Sequence, residues 1–198
     1  MSVETKITAE PLTIPAMCKF TVDRPIYPDQ AYFFGSREAA EGSALAEALF
    51  AVDGVVAALI SHQTLTVTKR TPEPWQVIGK QVGAAIRAHL ASGHPAVSPE
   101  LRSKLPPSEV IRERVQAVID REIMPSVRSH GGVIRLLDVK ENKVFIQMGG
   151  GCQGCSSAEN TLKQGVEVAI RNAVPEVGDI LDTTDHAAGR NPYYGARA

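Results

Sequence analysis

The chain has 198 residues, of which 43% are hydrophobic, and its formal net charge is −1. This length is sufficient for two small domains, and the near-neutral charge argues against nucleic acid or an anionic membrane as a partner. No apolar run approaches the roughly 18 residues of a membrane-spanning helix. The first ten residues carry charges and no apolar stretch, so we expect a soluble, cytoplasmic protein without a leader.

The first half of the chain contains four candidate β-strands. Alternating apolar and polar residues predict a strand over residues 17–22, and residues 31–34 are a second candidate. The segments 55–60 and 65–68 are rich in β-branched residues and are joined by a polar turn, which predicts a hairpin.

Two helices are predicted around these strands. Ser43 is the expected N-cap of a short helix over residues 44–50. A second helix is predicted to open at Pro74 and to end before Gly93. Its core face has apolar residues at helical spacing, among them Trp75, Ile78, Val82 and Ile86. The first half therefore indicates a small α+β domain.

A proline-rich segment follows. Residues 93–107 contain four prolines and one glycine, a composition that predicts a semi-rigid linker. The linker would separate a first domain over residues 1–92 from a second domain over residues 108–185. Residues 186–198 are polar and are predicted to form a frayed tail.

The second domain is predicted to follow the order α-β-β-α-β, again an α+β fold. Ser108 is the expected cap of its first helix, which Pro125 interrupts. Strands over residues 133–139 and 144–148 form a hairpin, an amphipathic helix comes next, and residues 177–181 predict a last short strand.

A pair of cysteines, Cys152 and Cys155, lies between the second hairpin strand and the next helix, directly after three glycines. The chain has only three cysteines, a count that argues against a disulfide scaffold and favours metal binding or redox chemistry for a C-x-x-C pair. The positive end of the helix dipole favours thiolates over thiols. The glycines allow backbone amides to approach the sulfur atoms closely. The third cysteine, Cys18, lies in a predicted strand and is expected to be a buried apolar residue.

The number of available ligands limits which metal sites a single chain can complete. Structural zinc and iron–sulfur clusters usually require four protein ligands, and this loop offers two. His130 precedes the hairpin and His186 follows the last strand, so neither has metal-finger spacing to the cysteines. The simplest completion is a dimer in which each chain donates Cys152 and Cys155 across a two-fold axis. A redox dithiol and a zinc ion shared by the same dimer are the alternatives.

Both halves resemble one protein family. The run His130-Gly131-Gly132, the hairpin and the sequence GGGCQGCSSAENTLKQGVE are similar to the C-terminal domain of NifU, the Nfu-type domain of iron–sulfur cluster carriers. The first half is similar to the Nfu N-terminal domain at Ser43-Ala44-Leu45-Ala46, at Thr66-Val67-Thr68-Lys69 and at Trp75. It departs from that domain at Thr13-Ile14-Pro15-Ala16, where the family usually has Asn-Pro-Asn.

The resemblance implies a carrier and not an enzyme. Such a protein receives a [4Fe-4S] cluster from assembly proteins and passes it to apo iron–sulfur client proteins. The cluster-loaded form would be a homodimer, with the cluster held between the subunits by Cys152 and Cys155 of each. The alternative function is that of a dithiol–disulfide oxidoreductase using the same pair.

Overall fold

The computed structural model describes residues 5–129, 131–150 and 156–183. The chain divides into two compact units, Met1–Leu105 and Pro106–Ala198, and each combines helices with a β-sheet. The predicted α+β class is therefore confirmed. The predicted tail over residues 186–198 lies outside the described residues. In the part of the chain that is described, no helix is both long enough and apolar enough to cross a membrane.

The first unit is an antiparallel sheet with helices packed against it. Its strands lie in the order β1-β2-β5-β4-β3. In chain order its elements are β1 (Ile7–Pro11), β2 (Met17–Val22), β3 (Tyr27–Phe34), α1 (Ala44–Phe50), β4 (Val55–His62), β5 (Thr64–Lys69), α2 (Trp75–Ser92) and α3 (Pro99–Ser103). The sequence pattern does not predict β1, because four of its five residues are exposed and show no alternation.

Two predicted helix boundaries in this unit are confirmed. The Ser43 hydroxyl accepts a hydrogen bond from the Ala46 amide at 3.1 Å and so caps α1. Gly93 ends α2 in the left-handed region, at φ 69°. Helix α2 buries the predicted apolar face against the sheet, with Ile78, Val82, Ile86 and the partly buried Trp75.

The proline-rich segment contributes to the first unit's core. Ala96, Val97 and Leu101 are buried there, and Pro99 occupies the first position of α3, where a proline is tolerated. The Ser43 hydroxyl also donates a hydrogen bond to the Ala96 carbonyl at 2.6 Å. This part of the segment is therefore packed, unlike the spacer that its prolines predict, because its apolar residues fill space beside α1 and the sheet.

The second unit has a three-stranded sheet in the order β6-β7-β8. Strands β6 and β7 are antiparallel, and β8 is parallel to β7. In chain order the elements are α4 (Ser108–Val118), a π-helical segment (Ile119–Ile123), α5 (Met124–Ser129), β6 (Gly132–Lys140), β7 (Lys143–Gly150), α6 (Ser156–Ala173) and β8 (Ile180–Asp182). This is the predicted α-β-β-α-β order.

Two predictions for the first helix of this unit are wrong. Ser108 is its first residue, and the N-cap position is held by Pro107, without a side-chain cap. Pro125 does not interrupt the helix, which continues from α4 through the π-helical segment into α5. A proline cannot donate to the carbonyl four residues earlier and its ring clashes with that group. The π-helical segment directly before Pro125 widens the helix, so the helix continues although Pro125 has no amide to donate.

Candidate metal centre

The cysteine pair lies in the chain between a strand and a helix of the second unit. Strand β7 ends at Gly150 and helix α6 begins at Ser156, so residues 151–155 connect the two. Cys152 and Cys155 lie outside the described residues, and so does His130. The structure therefore defines the elements that carry the cysteine pair from both sides.

The end of the β6–β7 hairpin lies beside this loop. Ile134 pairs with Met148, Val133 pairs with Gly149, and the last rung is Gly132 with Gly150. Ile134 and Met148 are buried in the core of the unit. The final rung has no side chains, so the sheet ends in bare backbone where the cysteine loop begins.

Helix α5 is tied to the start of β6. The Ile134 amide donates to Sδ of Met124 at 3.5 Å, and the Gly131 amide donates to the Arg128 carbonyl at 2.9 Å. Gly131 has a φ of 69°, in the left-handed region that glycine adopts without strain. These contacts fix the helix that precedes the hairpin close to its open end.

Helix α6 is anchored by a buried arginine that sequence reasoning missed. The Arg171 guanidinium donates to the carbonyls of Val177, at 2.8 Å, and Gly178, in the connection to β8. Burial lowers the pKa of Arg171, which the nearby carboxylates of Glu167 and Asp179 partly offset. Glu167 and Arg171 are four residues apart, which places both on one side of the helix. This spacing is the sequence feature that could have indicated the polar cluster.

The Glu167 carboxyl lies in the same polar cluster. Burial raises its pKa, and Asp179 and Asp182 act in the same direction. Arg171 and Lys163 oppose the increase by attraction. The cluster holds the C-terminal half of α6 against the segment leading to β8, which leaves the N-terminal end of the helix to carry the cysteine loop.

Cys18 and His89 both belong to the first unit. Cys18 is 0% exposed in the core of the first unit, and burial raises the pKa of its thiol. His89 is 8% exposed in α2, and its Nδ1 atom has no hydrogen-bond partner in the described structure. Within residues 5–129, 131–150 and 156–183, no three His, Cys, Asp or Glu side chains are grouped so as to hold a metal ion.

Two family profiles match the chain. The profile described as NifU-like domain matches residues 115–181, in the second unit. The profile described as scaffold protein Nfu/NifU N terminal matches residues 7–93, in the first unit. The two matches fall on either side of the proline-rich segment and confirm the resemblance drawn from the sequence.

Among curated proteins, the chain is similar to several named Fe/S biogenesis protein NfuA. The protein from Pseudomonas savastanoi pv. phaseolicola is 43% identical over 88 residues, which cover 42% of this chain and 45% of that protein. The one from Ruthia magnifica is 39% identical over 98 residues, covering 48% and 51%. The chain thus spans about half the length of the curated relatives it matches. The solution structure of a NifU-like protein from Saccharomyces cerevisiae is 19% identical, with a TM-score of 0.43, and covers 49% of this chain and 86% of that one.

Proposed function

The chain joins an Nfu/NifU N-terminal domain to a NifU-like domain, and on that premise we propose that it carries an iron–sulfur cluster and passes it to apo proteins. The cluster is the cargo, and the protein is a carrier and not an enzyme. The matched relatives named for Fe/S biogenesis support this class of function. The observation that carries the proposal is the cysteine pair between β7 and α6, inside the matched NifU-like domain.

Cys152 and Cys155 are the cluster ligands in this proposal. Cubane iron–sulfur clusters are held by four cysteine thiolates. Since Cys18 is buried in the core of the first unit, one chain can offer only two thiolates. Two chains related by a two-fold axis supply the full set for a [4Fe-4S] cluster, and the loaded carrier is a homodimer.

The elements around the loop are consistent with reversible binding of the cluster. Helix α6 has 18 residues, and the partial positive charge at its N-terminus would favour thiolates in the loop that precedes it. The loop follows a rung of glycines at the end of the hairpin, and in this proposal the cluster is bound outside the core that holds Ile134 and Met148. A cluster shared between two such loops can be transferred when the subunits separate.

The first unit supplies recognition in this proposal. It would contact the assembly proteins that donate the cluster or the apo client proteins that accept it in the cytoplasm. Its described residues form a hydrophobic core of their own, built from the sheet, α1, α2 and the packed proline-rich segment.

Anaerobic reconstitution with ferrous iron and sulfide tests the proposal. We expect a brown dimer with about four irons per two chains, and release of the cluster to an apo iron–sulfur acceptor. Cys152→Ser and Cys155→Ser should each abolish loading while the chain stays folded, because a carrier must survive without its cargo. Cys18→Ala is the matched control and should load normally.

Two results would contradict the proposal. A colourless monomer that reduces disulfides with turnover would assign the cysteine pair to a dithiol–disulfide oxidoreductase. Unfolding of the second unit on removal of metal would instead indicate a structural metal, which contributes its binding energy to folding.

A further inference from the structure

The chain between the two matched profiles belongs largely to the first unit. One profile ends at residue 93 and the other begins at residue 115. Between them, the side chains of Ala96 and Val97 are buried in the core of the first unit, and the Ser43 hydroxyl donates to the Ala96 carbonyl. This part of the chain is therefore held on the first unit by its side chains and by its backbone.

Helix α3 continues this attachment. Leu101 is 7% exposed within the same core, and the Tyr32 hydroxyl donates to the Leu101 carbonyl at 3.4 Å. After the helix, the Lys104 amide donates to the Leu101 carbonyl at 3.2 Å, and the Leu105 amide donates to the Arg102 carbonyl at 3.1 Å. The hydrogen-bonded chain of the first unit therefore extends to Leu105, where the unit ends.

Two prolines, Pro106 and Pro107, separate Leu105 from the first helical residue of the second unit, Ser108. A residue of extended chain spans about 3.3–3.6 Å, so the chain from Leu105 to Ser108 reaches at most about 10 Å. The whole segment 93–107 would reach about 50 Å if it were free. Proline also restricts φ to about −65°, which makes the short connection stiff. The packing of the segment therefore shortens the connection to the pair Pro106-Pro107, which we call the proline joint.

We propose that the shortness of the proline joint sets the rate at which the second unit delivers its cluster to a client protein bound by the first unit. This inference rests on the proposed function, since it requires both a cluster and a recognition role for the first unit. The effective concentration of one tethered unit at the target of the other falls roughly as the −3/2 power of the tether length. The partner that fits a short joint is an apo iron–sulfur protein whose docking surface lies close to its empty cluster site.

An insertion into the full chain tests the length of the joint. About twelve Gly and Ser residues placed between Leu105 and Pro106 lengthen the connection from about three residue steps to about fifteen with flexible chain. The same residues added after Ala198 are the matched control. Each protein is reconstituted with iron and sulfide and is then mixed with the apo form of a [4Fe-4S] enzyme, whose own activity reports the transferred cluster. Transfer is measured over a range of acceptor concentrations, with circular dichroism as the measure of folding.

Hydrogen exchange tests the joint without any cluster. In the cluster-free wild-type chain, we expect the amides of Leu101, Arg102, Lys104 and Leu105 to exchange more slowly than in unstructured chain, because each donates a hydrogen bond. Exchange at the rate of unstructured chain throughout residues 94–105 would show a long free tether and would overturn the inference, whatever the protein carries.

We expect the insertion to lower the transfer rate at saturating acceptor about tenfold. The iron content, the folding and the half-saturating acceptor concentration should stay unchanged, because the insertion alters neither the ligands nor the docking surface. The variant extended after Ala198 should behave like the wild type. If the insertion leaves the transfer rate unchanged, or if the extension slows transfer as much, this inference is wrong and the proposed function stands. A wild-type chain that takes up no cluster overturns the proposed function itself, and this inference with it.

Discussion

The backbone amide of Ile134 donates to the thioether sulfur of Met124, over 3.5 Å. Ile134 lies in β6, an edge strand of the three-stranded sheet, and Met124 is the first residue of α5. Both residues are buried. Within the described residues no further strand pairs with this edge of β6, and a methionine satisfies the donor instead. The contact lies two residues from the glycine rung beside the cysteine loop.

Met124→Leu should destabilise the second unit by about 1–2 kcal/mol. Leucine nearly preserves the volume, which by itself is tolerated, but it leaves the Ile134 amide buried without an acceptor. Amide hydrogen exchange at Ile134 and thermal unfolding followed by circular dichroism measure the effect. Ile123→Leu, a conservative change at a neighbouring buried residue, is the control. Equal exchange at Ile134 in the variant and the wild type would show that the sulfur contact contributes nothing.

Ser43→Ala should cost the first unit about 2–4 kcal/mol. The hydroxyl caps α1 and also donates to the Ala96 carbonyl, so the change removes an N-cap and leaves a buried carbonyl unpaired. Ser98→Ala removes the corresponding cap of α3, where the hydroxyl accepts from the Leu101 amide, and should cost only about 1 kcal/mol. The chain has a single tryptophan, Trp75, in the first unit, and its fluorescence reports the unfolding of that unit alone. Equal losses in the two variants would contradict a role for the Ala96 contact.

Ser43 also shows which features of the fold the sequence could reveal. A cap, a left-handed glycine such as Gly93 and the alternation in Met17–Val22 are local patterns, and each is predicted where it occurs. The second bond of Ser43, to Ala96, joins residues far apart in the chain and has no local signature. For the same reason the burial of Val97 and Leu101 among prolines is not predicted, since it depends on the space left by the rest of the core.

The continuous helix through Pro125 illustrates a different limit. Proline predicts a break from its own chemistry, but the π-helical segment Ile119–Ile123 relieves the clash before the proline is reached. At the candidate site, the sequence predicts a strand before the cysteine pair and a helix after it, and β7 and α6 are found there. The pairing of Gly149 with Val133 depends on the register of the hairpin, which the sequence alone does not specify.

Acid should destabilise the first unit through His89. Burial lowers the pKa of this imidazole, and His94 lowers it further. The unfolded chain, with a pKa near the ordinary 6.5, therefore binds a proton at a higher pH than the folded chain does. The contribution of His89 to stability is fully present above the unfolded pKa. It is lost as the pH falls through the unfolded pKa toward the lower folded pKa.

His89→Gln should flatten this pH dependence. The measurement is the unfolding temperature of the first unit, followed by Trp75 fluorescence from about pH 7.5 to about pH 5, the range in which histidine titrates. His94→Gln should reduce the dependence in part, because it removes one of the two causes. The same change at His62, the exposed last residue of β4, controls for the loss of a histidine. A wild-type profile that His89→Gln leaves unaltered would contradict the prediction.

Glu167→Gln should stabilise the second unit at neutral pH. Burial is the largest influence on the Glu167 carboxyl and raises its pKa, so the folded chain takes up a proton at a higher pH than the unfolded chain. Above the folded pKa the charged form costs stability, and the wild type recovers that stability as the pH falls through the folded pKa toward the unfolded one. Glutamine removes the charge at every pH, so the gain should be largest near pH 7 and should shrink on acidification.

The unfolding temperatures of Glu167→Gln and the wild type, followed by circular dichroism at neutral and at acidic pH, show whether the change stabilises or destabilises the protein. Arg171 keeps its hydrogen bonds to the carbonyls of Val177 and Gly178 in this variant, so the anchor of α6 is preserved. Glu113→Gln, at an exposed position of α4, controls for the loss of one negative charge. A variant less stable than the wild type at pH 7 would mean that attraction to Arg171 and Lys163 outweighs the cost of burying the carboxylate. In that case the negative charge of Glu167 would contribute to the stability of the polar cluster that holds α6.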